Sequence, residues 1–167
     1  MIYIKTINIT KIDNLLIEKA IRSFSLKRHG SLDLKQSSSY ITEDNKYFLG
    51  SETDSYIKIT RLRTPFENLL PKLILRFDKK DFSVYQIRFS FPSNLIYATL
   101  IIAVVLNLAK LIISGQLGSN IGSILIISII FILLTLFEIK IATQKVKKAI
   151  HRTMNSITIE NNERKSN

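Results

Sequence analysis

The sequence of 167 residues contains no cysteine, which excludes disulfide bonds, thiolate zinc sites and cysteine nucleophiles. Histidine is nearly as scarce, since the only two, His29 and His151, lie in separate regions. No pair of histidines has the spacing of metal ligands, so we expect no transition-metal site. A lone histidine in a basic loop is usually a solvated side chain, and that is our interpretation of His29.

Glycine is also rare, and none of the five glycines belongs to a G-x-G-x-x-G or P-loop motif. We therefore predict no cofactor and no catalytic residues, hence a non-enzymatic protein. A membrane-bound hydrolase or transferase is the alternative. The acidic residues that cluster in sequence lack EF-hand spacing and are interpreted as solvated loop charges, with divalent-ion binding as the alternative; they are Asp33, Glu43, Asp44, Glu52 and Asp54.

Charge is almost absent between residues 95 and 141. One apolar run extends from Leu95 to Ile113 and a second from Ile121 to Phe137, about 28 and 26 Å long as helices, close to the hydrocarbon thickness of a bilayer. Neither run has a polar face of the width that a soluble helix needs, which argues against the alternative of a buried hairpin. We predict a transmembrane helical hairpin over residues 94–141, with spans of about 95–113 and 121–139.

The distribution of positive charge predicts the orientation. Of 24 lysines and arginines, sixteen precede the hairpin, seven follow from Lys140 onward, and the loop 114–120 has none. The segment MIYIKTINITKID is not typical of a signal peptide. We expect a multi-pass protein of the plasma (inner) membrane, with both termini cytosolic and the loop outside.

Small and polar residues recur along both apolar runs and indicate a helix–helix interface. Thr99, Ala103 and Asn107 are spaced by four residues; Ser128, Thr135 and Ala142 are spaced by seven. We predict that these two stripes face each other or a second copy of the chain, which would form a homo-oligomer. Asn107 in a polar transport path is the alternative.

Residues 1–93 predict a cytosolic α+β domain. A β-rich strand at 2–9 precedes a helix from Lys11 to about Phe24, with Thr10 as its N-cap. We expect the core face of that helix to contain Leu15, Ile17, Ala20, Ile21 and Phe24.

A mainly antiparallel sheet should follow, with strands at 46–52, 56–63, 72–78 and 82–91. The tetrapeptide DKKD predicts a hairpin turn at 78–81, and residues 64–71 should form a loop or a single helical turn. Only PSN, at 92–94, would then separate the domain from the first span.

These segments also carry a resemblance. The motifs are Phe48-Leu-Gly50, the strand from Tyr56 to Arg61, Pro71-x-Leu-Ile with Arg76, and Tyr85-x-Ile-Arg88, followed by two apolar runs. In this order the chain resembles a group of small uncharacterised bacterial two-transmembrane proteins with an N-terminal α+β domain. The resemblance covers about residues 47–113 and implies an architecture but no activity. The loop TPFENLLPK stands where that group has an NSF-like segment before the proline.

The last segment, 142–167, predicts a basic amphipathic tail that continues the second helix and turns along the membrane surface. Its basic residues are candidate contacts for anionic lipid headgroups, or simply topology determinants; with the residue just before the segment they are Lys140, Lys145, Lys147, Lys148 and Arg152. Nucleic acid is an unlikely partner because the tail lacks interleaved aromatic residues. We expect a membrane-anchored module that binds a partner protein or anionic lipid, or alternatively an accessory subunit of a larger membrane or transport complex.

Overall fold

The structure, a computed structural model, describes residues 3–27, 30–33, 45–115 and 120–166, with the side chains of the last helix through Ile159. The elements, in chain order, are β1 (Tyr3–Asn8), α1 (Asn14–Ser23), β2 (Ser25–Lys27), β3 (Phe48–Glu52), β4 (Tyr56–Arg61), a 3-10 turn (Pro65–Leu69), β5 (Leu73–Asp78), β6 (Val84–Phe89), α2 (Phe91–Ser114) and α3 (Ile121–Ser166). The predicted fold class is therefore confirmed: an α+β sheet domain precedes two long apolar helices.

The six strands form one sheet in the order β1-β6-β5-β4-β3-β2. Strands β3 to β6 form an antiparallel meander. Short turns join β3 to β4 and β5 to β6, and a longer segment with the 3-10 turn joins β4 to β5. Strand β1 adds to β6 in the antiparallel sense at one edge, and β2 adds to β3 in the parallel sense at the other. Since β1 and β2 lie at opposite edges, α1 crosses the sheet between them.

The start of α1 differs from the prediction. The helix begins at Asn14, and the cap is Asp13, whose carboxylate accepts a hydrogen bond from the Leu15 backbone N–H at 3.4 Å. Lys11 has φ +70°, a left-handed conformation that no α-helix accommodates, so Thr10 lies outside the helix. Within α1, Ile17, Ala20 and Ile21 are buried as expected and Leu15 is exposed; Phe24, the residue after the helix, is half-buried.

The strand predictions place five strands correctly with small shifts at their ends, but they miss β2. That strand has only three residues and is paired through its backbone to β3, a long-range contact without a local signal. At Gly50 in β3, an added Cβ would lie 3.3 Å from the Cβ of Ser25 in β2. The tight approach of the two strands thus favours glycine there.

One face of the sheet is covered by α1 together with the second half of α3. The alternating residues of the strands supply this core, as period 2 requires. Its members on the sheet are Phe48, Ile57, Ile59, Leu73, Leu75, Phe77, Tyr85, Ile87 and Phe89, and its members on α3 are Ile139, Ala142, Val146, Ala149 and Ile150.

This packing corrects the prediction of a separate tail over residues 142–167. Helix α3 is a single helix of 46 residues, about 69 Å long, and does not turn along a membrane surface. The apolar side chains assigned to a membrane surface, such as Val146 and Ile150, are buried in the core of the sheet domain instead. The helical spacing of the apolar residues in this segment correctly predicted an amphipathic helix. The apolar surface that covers this helix, however, belongs to the sheet.

The first apolar helix begins directly at the end of the sheet. Helix α2 starts at Phe91 with Pro92 in its first turn, so residues 92–94 form helix and not a linker. Its start is hydrogen-bonded to Lys72, the residue before β5: the Ser90 N–H donates to the Lys72 carbonyl at 2.9 Å, and the Lys72 N–H donates to Ser93 Oγ at 2.9 Å. The domain is therefore joined to the apolar helices at two places, by α2 and by α3.

Both apolar helices are long and apolar enough to cross a membrane. In the most apolar window of α2 none of the residues is buried, and in that of α3 17% are. A core helix of a soluble protein would bury most of such a window, so the exposure favours lipid as its surroundings.

Candidate functional site

The junction between the sheet domain and α3 contains a buried cluster of charged side chains. Arg61 ends β4 on the same face as Ile57 and Ile59, and Arg63 follows it on an extended segment. The side chains of Arg61, Arg63 and Glu138 are 2%, 3% and 1% exposed. Glu138 accepts from Arg61 Nη2 at 2.9 Å and from Arg63 Nη2 at 2.9 Å, so one carboxylate of α3 holds two guanidinium groups of the sheet domain.

Further hydrogen bonds join this cluster to its surroundings. Arg61 Nη1 donates to Glu67 Oε1 at 2.7 Å, and Arg63 donates to the carbonyls of Leu70 and Pro71 at 2.7 and 2.8 Å. Burial acts to lower the pKa of Arg61, but the hydrogen bonds and charge of Glu138 and Glu67 outweigh it, so the pKa is raised. Arg63 has its pKa lowered by burial, yet a guanidinium remains charged at any physiological pH.

The chemistry of this cluster is structural. A general acid or base needs a proton that can reach a substrate, and both oxygens of Glu138 are already occupied by arginines in a buried setting. Breaking a buried pair of this kind leaves an uncompensated charge, so the cluster fixes the sheet domain to one position along α3.

A second, basic cluster lies where α3 passes Tyr47. Lys145 Nζ, Lys148 Nζ and the Arg152 guanidinium carbon lie 5.1, 5.9 and 5.5 Å from the centroid of the Tyr47 ring. We name these four residues the Tyr47 cluster. The spacing of three and four residues places the cations on one face of α3, and the ring is held by stacking on Phe24 at 5.0 Å.

The Tyr47 cluster brings three positive charges together. In the described part of the chain no carboxylate lies within ion-pair distance of Lys145, Lys148 or Arg152. Burial lowers the pKa of Lys145, and the charges of Lys148, Arg61 and Arg152 lower it further, while the charge of Glu67 acts in the opposite direction. An anion that docked on this face would relieve that repulsion.

The predicted headgroup residues thus divide into two sets. Lys145, Lys148 and Arg152 surround Tyr47, whereas Lys140 and Lys147 are exposed elsewhere on α3.

Sequence reasoning missed Tyr47, Arg61, Arg63 and Glu138. The sequence did contain one signal for Glu138, which is its position directly after a long apolar run. A carboxylate at such a position needs a cationic partner.

The predicted helix–helix residues are also divided. Helices α2 and α3 contact each other, Ala103, Asn107 and Ser128 are half-buried, and Thr99 is exposed. Ala142 differs from the prediction, because its fully buried side chain belongs to the core of the sheet domain.

The polar groups of the predicted stripes bond within their own helices. Asn107 donates to the carbonyl of Ala103, four residues earlier in its own helix, at 2.8 Å. Ser128 and Thr135 each donate to the carbonyl four residues before them, also at 2.8 Å. No hydrogen bond between the two helices is therefore formed by these three side chains.

The acidic residues are more engaged than predicted. The Arg88 guanidinium pairs with Asp33 at 2.8 Å and lowers the pKa of that carboxyl group. Glu52 accepts from Arg22 and Lys79, which lower its pKa to about 2. Asp54 is exposed, and Glu43, Asp44 and His29 lie outside the described residues. Among the described residues no group of His, Asp or Glu side chains is arranged to hold a metal ion.

No protein-family model, curated protein or solved structure matches the chain. The resemblance to small bacterial two-transmembrane proteins therefore stays a prediction, and function is argued from the geometry above.

Proposed function

We propose that the chain is a membrane-anchored, non-enzymatic module whose Tyr47 cluster binds an acidic partner protein on the cytosolic side of the membrane. The observation that carries this proposal is the Tyr47 cluster itself: three cations around one ring without a described carboxylate to pair with. The anchor is the pair of apolar helices, and the sheet domain supplies the rigid support that holds Tyr47 in place.

The position of the cluster along α3 favours a protein over lipid headgroups. Lys140 is the first basic residue after the apolar span, whereas Lys148 and Arg152 follow it by eight and twelve residues. At 1.5 Å per residue these distances are about 12 and 18 Å, and a tilt of about 20° shortens them only slightly. The attraction of an anionic surface decays over a Debye length of about 8–10 Å, so it is weak at Arg152.

The rigidity of the module supports the same proposal. Because α3 is one helix from the apolar span to the Tyr47 cluster, and Glu138 ties it to Arg61 and Arg63, the cluster is held at a fixed height above the membrane. When a partner binds to a pre-formed basic surface, the entropic cost of ordering flexible lysine side chains is avoided. An acidic protein surface that approaches the membrane is the occupant that this geometry suits.

The test is affinity isolation of the full chain from its native membrane, with quantitative mass spectrometry. The charge-reversal variant Lys145→Glu/Lys148→Glu/Arg152→Glu should lose the partner by tenfold or more. The matched control Lys11→Glu/Lys19→Glu/Lys80→Glu changes the net charge equally at exposed positions and should retain it. Recovery should fall as salt is raised, because the contact is electrostatic.

Equal recovery by both variants would refute the assignment of the binding surface. If instead the full chain in nanodiscs recovered its partner only when anionic lipid was present, the headgroup interpretation would replace it. A partner that bound the charge-reversed chain through its apolar helices would favour the accessory-subunit alternative.

A further inference from the structure

A groove of about 270 Å³ lies where the sheet domain meets the two apolar helices. Ile4 of β1 and Phe89 of β6 form its sheet side, Tyr97 forms its α2 side, and Phe131, Thr135 and Leu136 form its α3 side. Residues Phe131 and Leu136 lie near the end of the apolar part of α3, and Tyr97 lies in the second turn of α2. The groove is thus level with the border between hydrocarbon and headgroups when the helices span a bilayer.

The wall of the groove suits an apolar chain. Three rings line it, with Phe89 to Tyr97 at 5.6 Å, Phe89 to Phe131 at 5.9 Å and Tyr97 to Phe131 at 6.4 Å between centroids. The hydroxyl of Thr135 is already bonded to the Phe131 carbonyl at 2.8 Å, so it does not demand a polar ligand. Asn94 and the hydroxyl of Tyr97 are the other polar groups of the lining, and the mainly apolar wall forms a surface for methylene groups.

Two exposed lysines are neighbours of groove residues within their own elements. Lys140 is exposed and follows Leu136 by one helical turn on the same face of α3. Because α3 runs from the membrane to the domain and helical side chains tilt toward the helix N-terminus, the stem of Lys140 leans toward the membrane. Lys5, next to Ile4 in β1, is exposed and pairs in register with Ile87, a residue of the sheet face that α3 covers.

We propose that this groove is a binding site for one anionic phospholipid. One acyl chain lies against Phe89, Tyr97 and Phe131, and the phosphate group is held by Lys140 and Lys5. The lipid comes from the bilayer itself, which is the only apolar phase at this level of the molecule. The proposal rests on the membrane anchor and not on the acidic partner of the Tyr47 cluster, which lies farther along α3.

The test is native mass spectrometry of the detergent-solubilised full chain, titrated with dioleoyl phosphatidylglycerol or dioleoyl phosphatidylcholine. We expect one retained phosphatidylglycerol per chain and a weaker phosphatidylcholine adduct. At the usual contribution of a lysine near an anionic headgroup, Lys5→Gln/Lys140→Gln should weaken phosphatidylglycerol binding roughly thirtyfold while leaving phosphatidylcholine unchanged. The control Lys110→Gln removes a charge at the far end of α2 and should change neither.

A second variant probes the acyl chain. Leu136→Trp fills the groove from an exposed position, where the fold tolerates a larger side chain, and should reduce retention of both lipids. Ile126→Trp, at an exposed position of α3 outside the groove, is its control and should bind as the parent chain does. Retention of several lipids without preference, or equal binding by Leu136→Trp and Ile126→Trp, would overturn the proposal. Loss of only the acidic partner of the Tyr47 cluster would leave the proposal of a lipid site intact.

Discussion

Glu138 is the side chain on which the attachment of the sheet domain to α3 depends most. Its carboxylate is buried and balances the Arg61 and Arg63 guanidinium groups. In Glu138→Gln the buried Arg63 loses its carboxylate partner and Arg61 keeps only Glu67, and breaking a buried pair typically destabilises a protein by about 3–5 kcal/mol. We expect a lower thermal midpoint and faster proteolysis of the sheet domain in detergent.

The control for Glu138→Gln is Asp54→Asn, the same chemical change at an exposed turn. Its stability should stay within about 0.5 kcal/mol of the parent chain. If the two variants unfolded alike, the buried cluster would not be what holds the domain on α3.

Glu52 gives the stability of the domain a dependence on pH. Hydrogen bonds from Arg22 and Lys79 lower its pKa to about 2, against an ordinary value of about 4.3 in an unfolded chain. Between these values the unfolded state binds more protons, so the stabilisation is fully present above about pH 5 and is lost as the pH falls toward 2. We expect the thermal midpoint of the parent chain to exceed that of Glu52→Gln at pH 7 and to converge with it near pH 2. A difference that stayed constant over this range would contradict the ion-pair explanation.

Among the elements, α3 has two roles because its first half is a candidate span and its second half packs on the sheet. Gln144 is exposed and lies between Glu138 and the Tyr47 cluster. Proline at this position removes the hydrogen bond to the Lys140 carbonyl and clashes with it, which costs about 3 kcal/mol or more. We expect Gln144→Pro to expose residues 142–153 to protease and to deuterium exchange.

Gln144→Ala is the matched control, because alanine has the highest helix propensity and the side chain it replaces is exposed. It should show the protection of the parent chain. Unchanged protection in Gln144→Pro would mean that the two halves of α3 are independent of each other.

For the whole molecule, the absence of cysteine makes the orientation directly measurable. Single cysteines at Asn120, Asp54 and Ser156 occupy exposed positions in the turn before α3, in the sheet domain and near the end of α3. With a membrane-impermeant maleimide on intact cells, we expect Asn120→Cys to be labelled, and Asp54→Cys and Ser156→Cys only after permeabilisation. Labelling of all three from one side would exclude a membrane-spanning hairpin.

Much of the secondary structure was predictable because its signals are local. The alternation of Ile57 and Ile59 or of Leu73 and Leu75 indicates strands, and the two apolar runs indicate helices, although α3 continues well beyond the second run. The errors lie where long-range contacts override local preference. Examples are β2, which exists through pairing with β3, and the start of α1, which the left-handed Lys11 delays to Asn14.

The candidate sites were predictable only in part. The basic residues of α3 were identified from their helical spacing, but their grouping around Tyr47 depends on a residue about a hundred positions earlier in the chain. The pairing of Glu138 with Arg61 and Arg63 spans more than seventy residues, and no local pattern specifies it.

By itself, the sequence determined where the apolar helices lie and where the surplus of positive charge is, because hydrophobicity and charge are properties of each residue in its own segment. Only the tertiary structure decided what the second half of α3 does. Its apolar face packs against the sheet instead of a membrane surface, because the sheet and α1 offer a complementary apolar face that excludes water. That docking brings Glu138 to its arginines, gathers three cations around Tyr47, and leaves the groove beside Tyr97 and Phe131 open.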